Sequence, residues 1–339
     1  MPRLLALACA LLLAACAAAP AGDPMAGPLT LQSQGSFFIG GRAVHSDTLS
    51  TLPAYAPSGT VAVDQMYVRQ MTPPNASPLN VTLIHGCCLT GKTWETTPDG
   101  RMGWDEYFVR RGFATYVVDQ TWRGRSAGDI QAINAVRLGR APATALPTVF
   151  AAGREAAWAI FRFGDQYPQT NPGLRFPLAA QEEFWKQMVP DWLNAQPTPN
   201  PTVPALGELS RRLGRNVLIS HSQSGIYPFQ AVAQNPAGIA AVIAVEPGAC
   251  PNAAADVTPY LHTPMLVVWG DYVPQAPRWA PRLVNCRAFV AKVVAAGGKA
   301  EQLVLPERGI HGNSHMLMQD DNSLQIAGML VDWIGANAR

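Results

Sequence analysis

The sequence predicts an α/β protein built on a doubly wound, mostly parallel sheet. Two observations carry that expectation. Short runs that are apolar almost throughout recur along the chain with helical stretches between them, among them Asn80–Ile84, Ala114–Val118, Ile239–Val245 and Pro264–Trp269. Strands of that kind belong inside a sheet covered on both faces. A further run, Asn216-Val217-Leu218-Ile219, leads through Ser220-His221-Ser222-Gln223-Ser224-Gly225 into the helix-compatible stretch Ile226–Ala233. The composition allows for a large core: 48% of the 339 residues are hydrophobic against 14% charged, which fits one domain with an insertion. A net charge of +2 without a basic cluster interleaved with aromatics gives no argument for nucleic acid.

The chain opens on a targeting pattern. Arg3 supplies a positive start, and Leu4–Leu13 is apolar but too short to span a bilayer as a helix. Leu13-Ala14-Ala15-Cys16 has the form of a bacterial lipobox. Residues 1–15 are therefore expected to be a signal peptide, Cys16 to carry lipid, and residues 16–28 to tether an exported protein, periplasmic or at the outer membrane. The alternative is cleavage after Ala19 or Ala21 and plain secretion. With Cys9 and Cys16 set aside, Cys87, Cys88, Cys250 and Cys286 remain, an even number for an oxidising compartment. The favoured pairings are Cys87–Cys88 and Cys250–Cys286.

Taken in order, Ser36–Val44 reads as two short strands about a Gly40-Gly41 turn, and Val61–Arg69 as a third, antiparallel strand. Asn80–Ile84 is a buried strand running into the small-residue loop His85-Gly86-Cys87-Cys88. Trp104, Tyr107 and Phe108 sit at helical spacing before Gly112, and Ala114–Asp119 is the next strand. From about Gly128 the pattern changes. Three short helical stretches, around Ile133, Trp158 and Phe184, are separated by many prolines, and no run reads as a strand. Residues 129–206 are expected to form a helical cap inserted in a core of residues 29–128 and 207–339. A helix over Leu206–Leu213 leads back to the sheet. After the serine turn, strands end at Glu246, at Gly270-Asp271 and at Leu305. A helix over Leu283–Ala296 and a terminal helix with the stripe Ile326, Met329, Leu330, Trp333, Ile334 close the chain.

The chemistry follows from what lies beyond the carboxyl ends of these strands, where such sheets bind ligands. Strand, small-x-Ser-x-small and helix is the layout of a nucleophile elbow, with Ser220 where glycine is usual. A serine hydroxyl needs a base, and the base needs an acceptor to fix its tautomer. Two histidines, His311 and His315, share the loop after the last strand; the mobile Gly312-Asn313 favours His315. Activity is then expected to fall below roughly pH 6–7 as the ring protonates. For the acid, Glu246 and Asp271 are equally placed. One oxyanion donor is expected from the N–H of Gln223 and the other from the Cys87-Cys88 loop. His311-x-x-x-His315 is a poor metal pair in a glycine-containing loop, and Gly86-x-x-x-x-Gly91-Lys92-Thr93 formally matches a phosphate loop but would leave the elbow unexplained. No cofactor or metal is expected.

Together, His85-Gly86-Cys87-Cys88, Gly103-Trp104, Val118-Asp119-Gln120 with Arg123-Gly124-Arg125-Ser126, Ser220–Gly225 and Gly312–Met316 resemble the α/β-hydrolase family, and within it esterases of the Alcaligenes secreted type with adjacent cysteines in the oxyanion loop. The likeness runs from Gly35 through Ile326. It implies an α/β-hydrolase fold, a carboxylesterase triad of Ser222, Glu246 and His315, oxyanion donors on Cys87 and Gln223, a Cys87–Cys88 disulfide and a homodimer. It tips the acid from Asp271 to Glu246 and implies a small-molecule ester as substrate. The competing readings are a thioester, lactone or amide hydrolase with the same triad, and a ligand-binding lipoprotein of this fold without turnover.

Overall fold

In the computed structural model, which describes Met25, residues 27–252 and residues 254–338, an eight-stranded sheet organises the chain. The expected signal peptide, the lipid site at Cys16 and nearly all of the tether lie outside the described residues. The N-terminal part runs β1 (Ser33–Ser46), β2 (Gly59–Thr72), β3 (Asn80–Ile84), α1 (Trp104–Arg110) and β4 (Ala114–Asp119). The inserted segment carries α2 (Gln131–Arg137), α3 (Arg154–Ile160) and α4 (Gln181–Lys186). The chain then continues through α5 (Thr202–Leu213), β5 (Asn216–His221), α6 (Tyr227–Gln234), β6 (Ile239–Val245), β7 (Met265–Trp269), α7 (Ala280–Ala295), β8 (Ala300–Val304) and α8 (Ser323–Asn337). Among the described residues no helix is long and apolar enough to cross a membrane.

The strand order is β1-β2-β4-β3-β5-β6-β7-β8. β1, β2 and β4 pair antiparallel, and every pairing from β4 through β3 to β8 is parallel. The chain leaves β3 toward β4 on one side and returns as β5 on the other, so the sheet's switch point lies between β3 and β5. Every residue of β4, β5, β6 and β7 is buried. Their side chains alternate between two cores. Val217, Ile219, Ile243 and Val245 face one core with Trp104, Phe108 and Ile326. Leu218, Val242 and Ala244 face the other with Leu206, Phe229 and Phe289. The continuous apolar runs have this origin: a strand covered on both faces has no polar side.

Two local expectations are corrected. Gly40-Gly41 is not a turn. β1 is one long strand, and its register with β2 continues from Gly40↔Gln65 to Arg42↔Val63 without a shift. Gly40, Gly41 and the opposed Asp64 all have positive φ, so the two-stranded ribbon bends there instead of reversing. The helix before β5 begins at Thr202, a turn before Leu206. Pro204 is no obstacle, because the N–H groups of a first helical turn have no partner inside the helix. The inserted segment holds three short helices, as the sequence suggests. Its Trp158, Phe161, Phe163, Phe176 and Phe184 belong to the same buried cluster as one face of the sheet.

Candidate active site

Ser222 lies where β5 meets the short turn Ser222–Ile226, with φ of +55°. A left-handed serine costs on the order of 1–3 kcal/mol and persists only where its surroundings impose it. Here crowding does so. A Cβ on Gly86 would stand 2.8 Å from the Ser222 Cβ, and one on Gly225 would stand 2.5 Å from the Pro247 Cβ. Only glycine lets the loop after β3 and the strand end of β6 close on the elbow. Ser224 fixes the turn by donating its hydroxyl to the Ile84 and His221 carbonyls. Cys88, Trp122, Glu246 and Tyr272, which follow β3, β4, β6 and β7, also have positive φ, so strain gathers along the edge where the site forms.

His315 and Glu246 converge on Ser222. The His315 Nε2 is 2.8 Å from the Ser222 Oγ, and its Nδ1 is 3.1 Å from a Glu246 carboxylate oxygen. Both His315 and Glu246 are fully buried. Burial is the main force lowering His315, to about 4, with Arg162 and Arg278 lowering it further against the pull of Glu246. Burial alone would raise Glu246, but the Arg162 charge and the His315 bond bring it down to about 2. A charged carboxylate therefore faces a neutral ring. Nδ1–H donates to Glu246, which leaves Nε2 free to accept the serine proton.

Arg162 was not anticipated. Its two terminal nitrogens donate to the two Glu246 oxygens at 2.6 and 2.7 Å, and its Nε donates to the Asp271 carbonyl. It sits just past α3 with φ of +56°. The available signal was a charge set inside the aromatic run Phe161-Arg162-Phe163, since a buried guanidinium demands a partner. Asp320 was also missed. Buried in the loop before α8, it accepts from the Ser314 N–H and hydroxyl and from Asn313, which shapes the chain just ahead of His315. His221 turns away from the serine. Its Nε2 lies 2.9 Å from the His315 carbonyl, so it donates there and holds the His315 backbone. The Phe161 carbonyl accepts the His315 N–H, and the Trp279 ring lies 4.1 Å from the His315 ring.

The alternative acid and base find each other instead. His311 Nδ1 is 3.4 Å from Asp271 at the surface, and Asp271 also accepts the Gly312 and Tyr272 N–H groups. Neither reaches Ser222 by a hydrogen bond.

Around the oxyanion loop, Cys250–Cys286 is a disulfide, across 5.1 Å between Cα atoms. Cys87 and Cys88 are not joined here, but their sulfurs stand 2.6 Å apart, closer than two separate thiols pack and longer than a disulfide bond. A trans peptide holds neighbouring Cα atoms about 3.8 Å apart, less than a relaxed disulfide spans, so closing that bond requires a distorted ring. The Cys88 contact and burial push the Cys87 thiol up. Asp191, from the inserted segment, accepts from the Cys88 N–H at 3.3 Å and from the Gln223 side chain at 3.1 Å, and it is paired with the buried Arg123. Cys87, Cys88 and Asp191 lie close enough together to hold an ion, but Arg123 already answers the carboxylate. The phosphate-loop reading fails on geometry: Gly91–Trp94 is a short turn capped by Thr90, and Lys92 Nζ is spent on the Thr96 carbonyl.

A cleft of about 320 Å³ opens over Ser222, walled by Ile160, Phe161, Leu193 and Trp279, with Cys87 and Gln223 at its floor.

No family model matches the sequence. A solved structure described as that of a novel bacterial esterase is 62% identical, with a TM-score of 0.91, over 93% of this chain and 98% of that one. A curated relative, the probable secreted lipase phiG of Fungal sp. (strain ATCC 74256), is 27% identical over 325 residues, 79% of this chain and 85% of its own. At 62% identity to a bacterial esterase over 93% of its length, the chain belongs to the α/β-hydrolase family of esterases, the family its motifs resemble.

Proposed function

We propose that the protein is a serine carboxylesterase that cleaves carboxylic esters through an acyl-enzyme on Ser222. The observation that carries this is the pair of hydrogen bonds Ser222–His315 at 2.8 Å and His315–Glu246 at 3.1 Å, at the floor of an apolar cleft. His315 Nε2 takes the hydroxyl proton as Ser222 Oγ adds to the ester carbonyl, then delivers it to the leaving alcohol. Water repeats the cycle on the acyl-enzyme. Glu246 fixes the tautomer and stabilises the imidazolium as it forms. Arg162 holds Glu246 charged and in place.

The tetrahedral oxyanion is received by the N–H groups of Gln223 and Cys87. Support for Cys87 over its neighbour is that the Cys88 N–H is already committed to Asp191. Losing one such donor typically costs about 100- to 1000-fold in turnover. Export is the second part of the proposal. It rests on Arg3 with the apolar Leu4–Leu13, on the Cys250–Cys286 disulfide, and on the secreted relative. In that compartment Cys87 and Cys88 are placed to oxidise, and Cys16 is the proposed anchor, which palmitate labelling of cells checks.

A fluorophosphonate probe followed by peptide mass spectrometry tests the mechanism. The adduct should map to Ser222, disappear in His315→Ala and persist in His311→Ala. An unlabelled protein, or a label elsewhere, refutes the assignment.

A further inference from the structure

The cleft over Ser222 carries charge as well as apolar wall. Arg278 and Arg282 line it, one before α7 and one in its first turn, while none of the residues lining it is acidic. Both guanidiniums lie by the Trp279 ring, 6.0 and 5.3 Å from its centroid, and that ring packs on His315. Arg282 is also tied to the elbow through one residue: its Nε donates to the Gly248 carbonyl at 2.7 Å, and the Gly248 N–H donates to the Ser222 carbonyl at 2.6 Å. A second Arg282 nitrogen donates to the Arg278 carbonyl.

These two arginines differ from the others near the site. Arg123 and Arg162 are each answered by a carboxylate, Asp191 and Glu246. Among the described residues no carboxylate pairs with Arg278 or Arg282, and the hydrogen bonds of Arg282 go to neutral carbonyls. The pair stands four residues apart, a spacing at which like charges repel. Arg278 is close enough to depress Arg282, after burial, and to depress His315 as well. An anion that enters the cleft therefore meets positive charge that no carboxylate of the described residues neutralises.

We propose that Arg278 and Arg282 form a carboxylate-binding subsite, and that the preferred substrates are esters carrying a free carboxylate a few atoms from the ester bond. This rests on the Ser222 reading and narrows it to a substrate class. The chemistry is that of a guanidinium fork, which matches a carboxylate with two parallel hydrogen bonds. The apolar wall between Ser222 and the arginines would cover the short aliphatic or aromatic spacer. A volume of about 320 Å³ leaves room for a short spacer only.

The test compares charged and neutral partners of the same size. On the acyl side these are 4-nitrophenyl hemiglutarate and 4-nitrophenyl 5-methylhexanoate; on the alcohol side, 4-acetoxybenzoate and 4-acetoxybenzamide. In at least one pair the charged ester should have the higher kcat/KM, by roughly tenfold or more, and the ratio should shrink toward one at about 0.5 M salt, where the screening length is only a few ångströms. The ratio should collapse in Arg278→Gln/Arg282→Gln and invert in Arg278→Glu, a change at an exposed residue that leaves the Gly248 contact in place. Charged-to-neutral ratios at or below one in both pairs, or a ratio untouched by the substitutions, overturn the subsite. Turnover of the neutral esters reports the Ser222 reading by itself. If no ester is cleaved, calorimetric titration with glutarate against the neutral glutaramide still decides: binding of glutarate that the double variant loses supports the subsite, and no glutarate binding ends it.

Discussion

Two histidine–carboxylate pairs stand a few residues apart, and they are built on opposite terms. His315–Glu246 is wholly buried at 3.1 Å, whereas His311–Asp271 is at 3.4 Å with the histidine side chain 67% exposed. The separations differ little; the surroundings differ greatly. Glu246 is gripped by Arg162 and the Gly270 N–H as well as by His315, and the far nitrogen of His315 meets a serine held in a strained turn. Asp271 is satisfied by backbone N–H groups of its own loops, and its histidine points to water. The buried pair has the environment of a proton relay. The surface pair closes a loop. What distinguishes the two pairs is the third partner and the loss of solvent, not the presence of an acid beside a histidine.

The sharpest break in that comparison is removal of each carboxylate charge. Glu246→Gln should lower kcat by roughly 10³- to 10⁴-fold, as expected when the group orienting a catalytic imidazole becomes neutral. It should also lower stability by about 3–5 kcal/mol, because Arg162 is left buried and uncompensated. Asp271→Asn should change kcat less than about threefold and stability by no more than about 1 kcal/mol, since its side chain is partly exposed and an amide oxygen still accepts from the loop. Steady-state kinetics with urea unfolding of both variants checks this. Equal losses in the two would erase the distinction.

Acidification is a gentler probe of the same difference. The sequence alone suggests loss of activity below roughly pH 6–7, the behaviour of an ordinary histidine. Burial moves that limb: with His315 lowered to about 4, kcat/KM should stay level to about pH 5 and fall with a midpoint near 4. His85 and His315, lowered to about 4, and His221, also held well below the usual imidazole range by burial, are buried neutral, so the unfolded chain takes up three protons that the folded chain refuses as pH falls below 6.5. Asp105 and Asp320, raised to about 6 and 7, hold protons in the folded state over much of that window and oppose the effect. Three against two leaves a net loss on the order of 1.4 kcal/mol per pH unit between about pH 6 and 4.5. Below pH 4.5 Glu246, held to about 2, adds to the loss as the unfolded chain protonates first. Unfolding free energies at pH 6, 5 and 4 measure the slope; stability that rises on acidification contradicts the assignment.

The legible part of this molecule was the part whose reason is local. Strands such as Ile239–Val245 announce themselves because both faces are covered, and the elbow because strand, serine and helix are contiguous. The succession of strands and helices along the chain from Asn80 onward followed, but not their order in the sheet. Arg162, Asp191 and Asp320 stayed hidden because their partners are distant or specific to the folded chain: Arg162 meets Glu246 across 84 residues, and Asp191 meets Cys88 across 103. Gly40-Gly41 misled for a related reason. Two glycines look the same in a turn and in a bend, and only the pairing of β1 with β2 distinguishes them. The choice between Glu246 and Asp271 was open from spacing, since both end strands. Only the fold shows that Asp271 is occupied by Gly312 and His311.

The smallest expected effect is at His311. In His311→Ala the Asp271 carboxylate keeps the Gly312 and Tyr272 N–H groups, and Arg175 Nε still donates to the backbone carbonyl of residue 311, so the loop that carries His315 retains its anchors. An exposed pair of this kind contributes about 0–1 kcal/mol, and salt screens it. The variant should therefore unfold within about 0.5 kcal/mol of the wild type, with kcat/KM changed less than twofold at any pH from 5 to 8. A tenfold loss would mean that the surface pair governs the buried one through Gly312–Ser314. In that case Asn313 and Ser314, which Asp320 holds in the interior, would be the route, and Asp320→Asn should reproduce the loss without touching either histidine.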